Sequence, residues 1–208
     1  MKSKSGIVCI MLGVALLLGA LLLARANMRE DMQANQASME VLPQLVEQIQ
    51  ERVAEEETEP TDAQLQIPLE LLTEEDKKMT EVEIDGNLYI GYISVPAVEI
   101  DLPVMSTWSY PKLKIAPCRY TGTVRGEDLV LMAHNYTGHF KSISKLEIGD
   151  DVYFVDMDGN EIHYAVVGKD ILEATAVEEM TAGDFDLTLF SCTYGGSARI
   201  TIYCDRLN

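Results

Sequence analysis

The hydrophobic pattern divides the chain into three stretches. Residues 7–23 are apolar and contain no charge and no proline, which predicts one helix long enough to cross a bilayer. Residues 27–61 are rich in Glu, Gln, Met and Ala, which is typical of a helical stalk with little core material. From Leu88 onward, short β-rich runs are separated by Gly, Pro, Asn and Asp, which is typical of an all-β domain.

The stalk has one narrow apolar stripe. The stripe favours either a plain stalk helix or a weak seam for self-association, and it consists of Leu42, Leu45, Val46, Ile49 and Val53. The five glutamates of Glu51–Glu59 indicate a solvated, self-repelling spacer that holds the β domain away from the membrane. A short docking helix is predicted before a turn at residues 85–86, from the spacing of Leu65, Leu69 and Leu72.

Seven runs in the β domain have the composition of strands. They are Leu88–Val95, Val98–Val104, Leu129–His134, Asp151–Asp156, Glu161–Val167, Leu187–Cys192 and Arg199–Leu207. The dipeptide Asp158-Gly159 lies between the fourth and fifth runs and predicts a tight hairpin. Seven strands in roughly 125 residues favour a closed barrel or a sandwich over alternating βα units.

The apolar stretch fits a permanent anchor better than a cleaved signal peptide. Lys2 and Lys4 supply the basic start that both need, and Ala24-Arg25-Ala26 offers small residues to a peptidase. However, the run exceeds the usual apolar region of about 7–15 residues, and an arginine lies inside the site. The leading lysines favour a cytoplasmic amino terminus. The predicted division is a cytoplasmic tail at 1–6, a transmembrane anchor at 7–24, an extracytoplasmic stalk at 25–84 and the β domain at 85–208.

Composition excludes several functions. The chain is 47% hydrophobic, which excludes a disordered protein. Its 16 Lys and Arg against 34 Asp and Glu give a net charge of −18, which leaves no basic face for nucleic acid. The four cysteines are too few for a disulfide-dense scaffold, and the absence of a CxxC or clustered Cys/His pattern argues against a zinc site.

If the last two predicted strands form an antiparallel hairpin in which Cys192 faces Arg199, this register separates the cysteines. One face then carries aliphatic residues with Cys204, so we expect that thiol to behave as a small core hydrophobe. Cys192 lies on the mixed face, at a strand end, opposite a guanidinium that favours the nucleophilic thiolate. Cys118 also fits a structural role, and spacing leaves open whether it forms a disulfide with Cys204.

A nucleophilic thiol needs a proton carrier, and the chain has three histidines. His163 lies inside a predicted strand, which indicates a surface histidine. His139 lies at the end of a polar loop. His134 ends an apolar strand and therefore projects from a rigid element, so we favour it over His139 as the partner of Cys192.

Several motifs occur in a fixed order along the chain. They are Gly91-Tyr92-Ile93-Ser94-Val95-Pro96, Leu102-Pro103-Val104, Ala133-His134-Asn135, Thr188-Leu189-Phe190-Ser191-Cys192 and Arg199. Over roughly residues 88–207 this set resembles the sortases, the membrane-anchored cysteine transpeptidases of Gram-positive bacteria. Two positions depart from the family pattern, because Ala133 stands where sortases usually have Gly and Ser191 where they usually have Thr.

The resemblance implies an all-β domain, an eight-stranded barrel with its site in a groove at the rim. Cys192 would attack a carbonyl within a sorting signal of the LPxTG kind, and His134 would carry the proton. Arg199 would hold the substrate and stabilise the oxyanion. The implied partners are proteins with such a signal and an amine from a peptidoglycan precursor or a pilin. No cofactor or metal ligand is assigned, and the acidic residues are too numerous to single out a set of calcium ligands. The candidate substrate-binding residues are Thr188, Ser191 and Thr201.

Three other functions fit part of the sequence. A cysteine peptidase would release the same thioester with water, but papain-like enzymes usually place Cys before His, and here His134 precedes Cys192. An L,D-transpeptidase-like wall enzyme is also Cys-dependent, but the chain lacks a closely spaced Ser-His-Gly-Cys box. An anchored binding domain without chemistry would keep its partner after Cys192→Ala.

Overall fold

The structure is a computed structural model that describes residues 4–56, 73 and 77–207. Its helices are α1 (Lys4–Glu56), α2 (Tyr110–Leu113) and α3 (Val177–Met180), with 3-10 helices at Pro96–Val98 and Phe140–Lys145. Its strands are β1 (Val82–Ile84), β2 (Asn87–Val95), β3 (Ile100–Met105), β4 (Cys118–Thr121), β5 (Leu129–Ala133), β6 (Asp151–Asp156), β7 (Glu161–Glu173), β8 (Leu187–Cys192) and β9 (Ala198–Arg206). The expected docking helix around Leu65, Leu69 and Leu72 lies outside the described residues.

Eight of the strands in the described part of the chain close into a barrel. Their order is β2-β3-β4-β5-β8-β9-β7-β6, and β6 pairs again with β2. The short β1 adds to the edge of β2 at residues 87–89, next to the segment 91–94 that pairs with β6. The barrel therefore has no open seam along β2, and the eight-stranded barrel expected from the resemblance is confirmed.

The observed strands match the predicted runs at the hairpin of β6 and β7 and differ from them at several strand ends and at two short strands. The antiparallel pairing of β6 with β7 confirms the hairpin at Asp158-Gly159, and β7 continues to Glu173, beyond its expected end. The strand expected from Val98 begins only at Ile100, because a 3-10 turn starts at Pro96, whose nitrogen cannot donate to a sheet. The sequence did not predict β1 and β4.

The barrel interior holds one apolar core. Aliphatic side chains from every barrel strand except β4 meet there with the buried rings of Phe140, Phe154 and Tyr164. Such a core fixes the ends of the strands, and these ends carry the candidate functional residues.

The second half of α1 packs against the outside of the barrel. Its buried positions are Ala34, Ser38, Val41, Leu45 and Ile49, and its apolar residues form one cluster with Met105, Cys118 and Val155. At the far end, Arg52 Nη2 forms an ion pair with Asp158 at 3.1 Å. The barrel therefore covers Leu45, Ile49 and Val53 of the apolar stripe, whereas Leu42 and Val46 are partly exposed and lie outside this cluster. The expected glutamate spacer lies only partly within the described residues, and there Glu51 and Glu55 are exposed.

Candidate active site

Three neighbouring strands bring the candidate catalytic residues side by side. β5 runs parallel to β8, and its last residue, Ala133, lies beside Ser191. The next residues, His134 and Cys192, therefore leave the two strands at the same edge of the barrel. On the other side of β8, Cys192 faces Arg199 of β9. Because adjacent strands lie about 4.8 Å apart, these residues form a His–Cys–Arg row with the thiol in the middle.

The register expected for the last hairpin is confirmed, and it separates the cysteines as predicted. Pairing runs from Leu187 opposite Cys204 to Cys192 opposite Arg199. Cys204 is buried in the core, and burial raises the pKa of its thiol, whereas Cys192 is partly exposed. Burial also raises the pKa of Cys118, to about 12. All of these thiols are free in the structure, so Cys118 and Cys204 do not form the disulfide that spacing left open.

His134 lies in a partly buried position at the barrel rim. Burial is the main cause that lowers the pKa of its imidazole, and the positive charge of Lys114 lowers it further. The negative charge of Glu30 on α1 opposes both effects. The ring of Tyr136 lies tilted against the imidazole at a centroid distance of 4.8 Å. A lowered pKa favours neutral imidazole, which can accept a proton from a thiol or an amine.

The guanidinium of Arg199 is held at one side. Its Nη1 donates to the carbonyl oxygen of Gly196 on the β8–β9 loop at 3.1 Å and to that of Ala198, the first residue of β9, at 3.2 Å. Among the described residues the side chain makes no other hydrogen bond, so the Nε and Nη2 donors are available to a ligand. Donors of this kind bind a peptide carbonyl or a developing oxyanion.

A cleft of about 180 Å³ opens beside the His–Cys–Arg row, and all three side chains line it. The rest of its wall is mostly apolar and includes Trp108, Leu113, Tyr120, Met132, Met180 and Phe190. Tyr120 stacks on Trp108 at 5.8 Å and meets Phe190 edge-on at 5.4 Å. A larger open cavity of about 660 Å³ shares these two stacked rings but contains none of the row. A mostly apolar cleft with a few polar groups is a typical ligand-binding site.

The three candidate substrate-binding residues occupy different positions. Ser191 lines the cleft, although its hydroxyl is buried and has no hydrogen-bond partner in the described part of the chain. Thr188 and Thr201 are buried and are not among the residues that line the cleft, so their expected substrate contact stays a prediction without support from this geometry. The reason is local packing, because Thr201 lies opposite Phe190, and the apolar cluster around Phe190 covers this face of the hairpin.

The other two histidines do not line the cleft. His163 lies on the barrel surface, as expected, with its Nε2 2.7 Å from Asp151 Oδ1 and its ring stacked on Tyr153 at 4.5 Å. His139 is completely buried beneath α1, and burial lowers the pKa of its imidazole to about 4. These positions support the choice of His134 as the partner of Cys192.

Two parts of the site were missed in the sequence. The aromatic wall comes from the segment before α2 and from β4, and its signal was Trp108, the one tryptophan of the chain, within Ser-Thr-Trp-Ser-Tyr. Trp and Tyr are common at binding surfaces because each combines a large apolar face with a polar group. The contact between α1 and the loop after His134 had no local signal, because it joins residues about a hundred positions apart.

Comparison with known proteins identifies the family. A family model described as the sortase domain matches residues 93–207, which is more than half of the chain. The chain belongs to the sortase family. Members of this family are cysteine transpeptidases, and the His–Cys–Arg row lies inside the matched region.

Individual sortases match this chain over different lengths. Sortase A of Bacillus anthracis is 29% identical over 125 residues, which are 55% of this chain and 57% of that protein, so the match spans less than two thirds of this curated relative. The crystal structure of sortase C1 from Streptococcus suis is 28% identical, with a TM-score of 0.51 over 58% of this chain and 73% of that chain. Sortase A from Corynebacterium diphtheriae has a TM-score of 0.54 over 91% of this chain and 96% of that chain. Its 18% identity shows a shared fold alone.

Proposed function

We propose that this sortase-family chain cleaves a sorting signal of the LPxTG kind through a thioester on Cys192 and transfers the acyl group to an amine. The His–Cys–Arg row in the wall of a mostly apolar cleft is the observation that carries the proposal. The aromatic and aliphatic wall suits the leucine and proline of such a signal, and the polar row suits the peptide bond that follows them.

In the first half of the reaction, the thiol proton of Cys192 passes to neutral His134, and the resulting thiolate attacks the carbonyl carbon of the threonine in the signal. The carbonyl π electrons move to the oxygen, where the free donors of Arg199 stabilise the negative charge. The tetrahedral intermediate then collapses, the C–N bond breaks, and His134 in its protonated form gives a proton to the departing amine. The product is a thioester on Cys192, with His134 neutral.

In the second half, an amine from a peptidoglycan precursor or a pilin attacks the thioester carbonyl. Neutral His134 accepts a proton from the attacking nitrogen, and the C–S bond breaks to regenerate the Cys192 thiolate. An amine held in the cleft has a high effective concentration at the thioester, which favours transfer over hydrolysis by water.

The apolar first part of α1 is a candidate membrane anchor, and among the described residues α1 is the helix that is long and apolar enough to span a bilayer. We propose that residues 7–24 cross the membrane, with 1–6 in the cytoplasm and the catalytic domain of 85–208 outside. Residue 30, which contacts the barrel, follows the end of the apolar segment by about 9 Å of helix. This spacing supports a cleft close to the membrane surface, where it reaches substrates that are tethered there.

The proposal is tested by incubating the full-length chain in detergent with a panel of LPxTG-type peptides and measuring its intact mass. We expect an acyl adduct on Cys192 that is absent in Cys192→Ala and in His134→Ala. Diaminopimelate, oligoglycine or lysine should then convert the adduct into a ligated peptide. Arg199→Lys keeps the charge but loses the planar fork, so adduct formation should slow by about 10- to 100-fold.

Other outcomes would identify the alternatives. Hydrolysed peptide with every amine would support a cysteine peptidase. No adduct, together with unchanged peptide binding by Cys192→Ala, would support a binding domain without chemistry. His163→Ala is the matched control for His134→Ala, because His163 lies outside the cleft and its loss should leave the adduct unchanged.

A further inference from the structure

The loop that follows His134 is held by α1 as well as by the barrel. Residues 135–139 connect β5 to the 3-10 helix that begins at Phe140. Asp31 Oδ1 accepts a hydrogen bond from the backbone N–H of Thr137 at 2.6 Å. Glu30 Oε2 accepts a hydrogen bond from the Tyr136 hydroxyl at 3.4 Å. Two successive acidic residues of α1 therefore bind two successive residues of this loop.

A buried hydroxyl extends the contact further along α1. Ser38 Oγ donates to the carbonyl oxygen of Ile115 at 2.7 Å and lies 3.3 Å from Nε2 of His139. Because the single hydroxyl proton points to Ile115, Nε2 of His139 is the donor in the second contact. The exposed fractions of Ser38 and His139 are 1% and 0%, so water cannot replace either bond without a local opening.

The helix and the loop touch at a glycine. A Cβ built on Gly138 would lie 2.6 Å from the Cβ of Asn35, closer than two nonbonded carbon atoms approach. Gly138 is not in the left-handed region of backbone space, so the contact with α1 is what excludes a larger residue.

The same loop forms the surroundings of His134. The Tyr136 ring packs against the imidazole at 4.8 Å, and the N–H of Phe140 donates to the carbonyl oxygen of His134 at 3.3 Å. Glu30, which binds Tyr136, also pairs with Lys114 at 3.3 Å. A displacement of the loop would therefore move both the ring and the backbone that orient His134.

We propose that residues 30–38 of α1 position His134, with Asp31 and Ser38 as positioning residues that act through the loop without lining the cleft. This proposal rests on the proposed role of His134 as the proton carrier. Proton transfer requires the imidazole within hydrogen-bond reach of the leaving amine, so a displaced loop slows thioester formation while the thiol and the apolar wall stay in place. The helix that carries the candidate anchor thus also completes the active site.

Two substitutions of Asp31 in the full-length chain test the positioning role. Asp31→Ala removes the acceptor of the Thr137 N–H, whereas Asp31→Asn keeps the Oδ1 acceptor. We expect Asp31→Ala to lower kcat for cleavage of an LPxTG-type sorting-signal peptide by about 10- to 100-fold with a nearly unchanged KM. Asp31→Asn should retain most of the activity. Glu47→Ala, at an exposed position of the same helix, is the control and should change neither constant.

A second pair of substitutions tests the contact from the loop side. Gly138→Ala should lower kcat in the same way, and Asn35→Gly should restore part of it in the double variant, because it removes the conflicting Cβ. Alkylation of Cys192 should keep its wild-type rate in every variant, since the barrel stays folded.

Wild-type kcat in both Asp31→Ala and Gly138→Ala, or an equal loss in Asp31→Asn, would overturn the proposal. Indiscriminate alkylation of the buried cysteines in Asp31→Ala would also overturn it, because it would show unfolding instead of misplacement. A wild-type chain that forms no thioester with any peptide would instead contradict the proposed function.

Discussion

Thr201→Val should stabilise the protein, because the hydroxyl of Thr201 is buried without a partner. The residue is 0% exposed in β9, and its Oγ1 makes no hydrogen bond within the described residues. Valine has nearly the same shape and fits a strand equally well. The substitution therefore removes a buried polar group without opening a cavity.

The expected gain follows from the cost of an unpaired hydroxyl. A buried polar group without a partner costs about 1–3 kcal/mol relative to its hydration in the unfolded chain. We expect Thr201→Val to raise the free energy of unfolding by about 1–2 kcal/mol, which corresponds to roughly 3–8 °C in Tm for a domain of this size. The assay is thermal unfolding of the full-length chain in detergent, followed by circular dichroism.

A control variant and an activity assay distinguish the effect of the buried hydroxyl on stability from a role of Thr201 in substrate binding. Thr175→Val, at an exposed threonine, should change stability by less than about 0.5 kcal/mol. The Thr201→Val variant should cleave LPxTG-type sorting-signal peptides at the wild-type rate, since Thr201 does not line the cleft. A lower free energy of unfolding in Thr201→Val would contradict the claim that the hydroxyl has no hydrogen-bond partner. A stable variant with a raised KM would indicate that Thr201 contacts the substrate.

Two further predictions concern the thiol and the imidazole. At pH 8, iodoacetamide should alkylate Cys192 at least about 100-fold faster than the two buried cysteines of the barrel, as measured by peptide mass spectrometry, and equal rates would contradict the observed burial. An imidazole ordinarily titrates below a thiol, so the acid limb of the kcat/KM profile reports His134. Lys114→Met removes a charge that lowers the pKa of His134 and should move this limb to higher pH, whereas Glu30→Gln should move it to lower pH. Shifts in the same direction would refute this electrostatic account.

The sequence predicted best the pairing of strands that are neighbours in the chain. Asp158-Gly159 marks the turn between β6 and β7, and the observed register leaves three residues, 157–159, between Asp156 and Asn160. The β8–β9 register followed from matching the aliphatic residues of two neighbouring runs on one face, and a slip by one residue would have turned Cys204 outward. Both hairpins pair residues that are close in the chain, so the local pattern contains enough information.

The missed strands are too short to show a pattern. β1 has three residues and β4 has four, and an alternation of period two cannot be recognised over so few positions. β4 also has a register shift between Arg119 and Thr121, which breaks its alternation against β5. Both strands depend on neighbours elsewhere in the barrel, and no local propensity identifies them.

The stalk shows a different limit. Its helical period was clear, and Leu45 and Ile49 are indeed buried, but the period does not say what covers the stripe. The surface that does so comes from several barrel strands, including β3 and β4. The interface also includes Ala34 and Ser38, because small side chains let the helix approach the loop closely. Ala34 and Ser38 are small and contribute little to an apolar stripe, so the hydrophobic pattern does not predict that they are buried.

The neighbouring positions of His134 and Cys192 at one edge of the barrel could not be predicted from local sequence patterns alone. Cys192 and Arg199 share a hairpin, so their opposition follows from a register. His134 reaches Cys192 only through the parallel seam of β5 and β8, and the chain between them forms β6 and β7 on another side of the barrel. A parallel pair has no turn to fix its register, and it forms only after a long crossover has closed. The strand-end position of His134 made it a candidate, and the family resemblance supported the choice. Its place beside the thiol required the closed barrel.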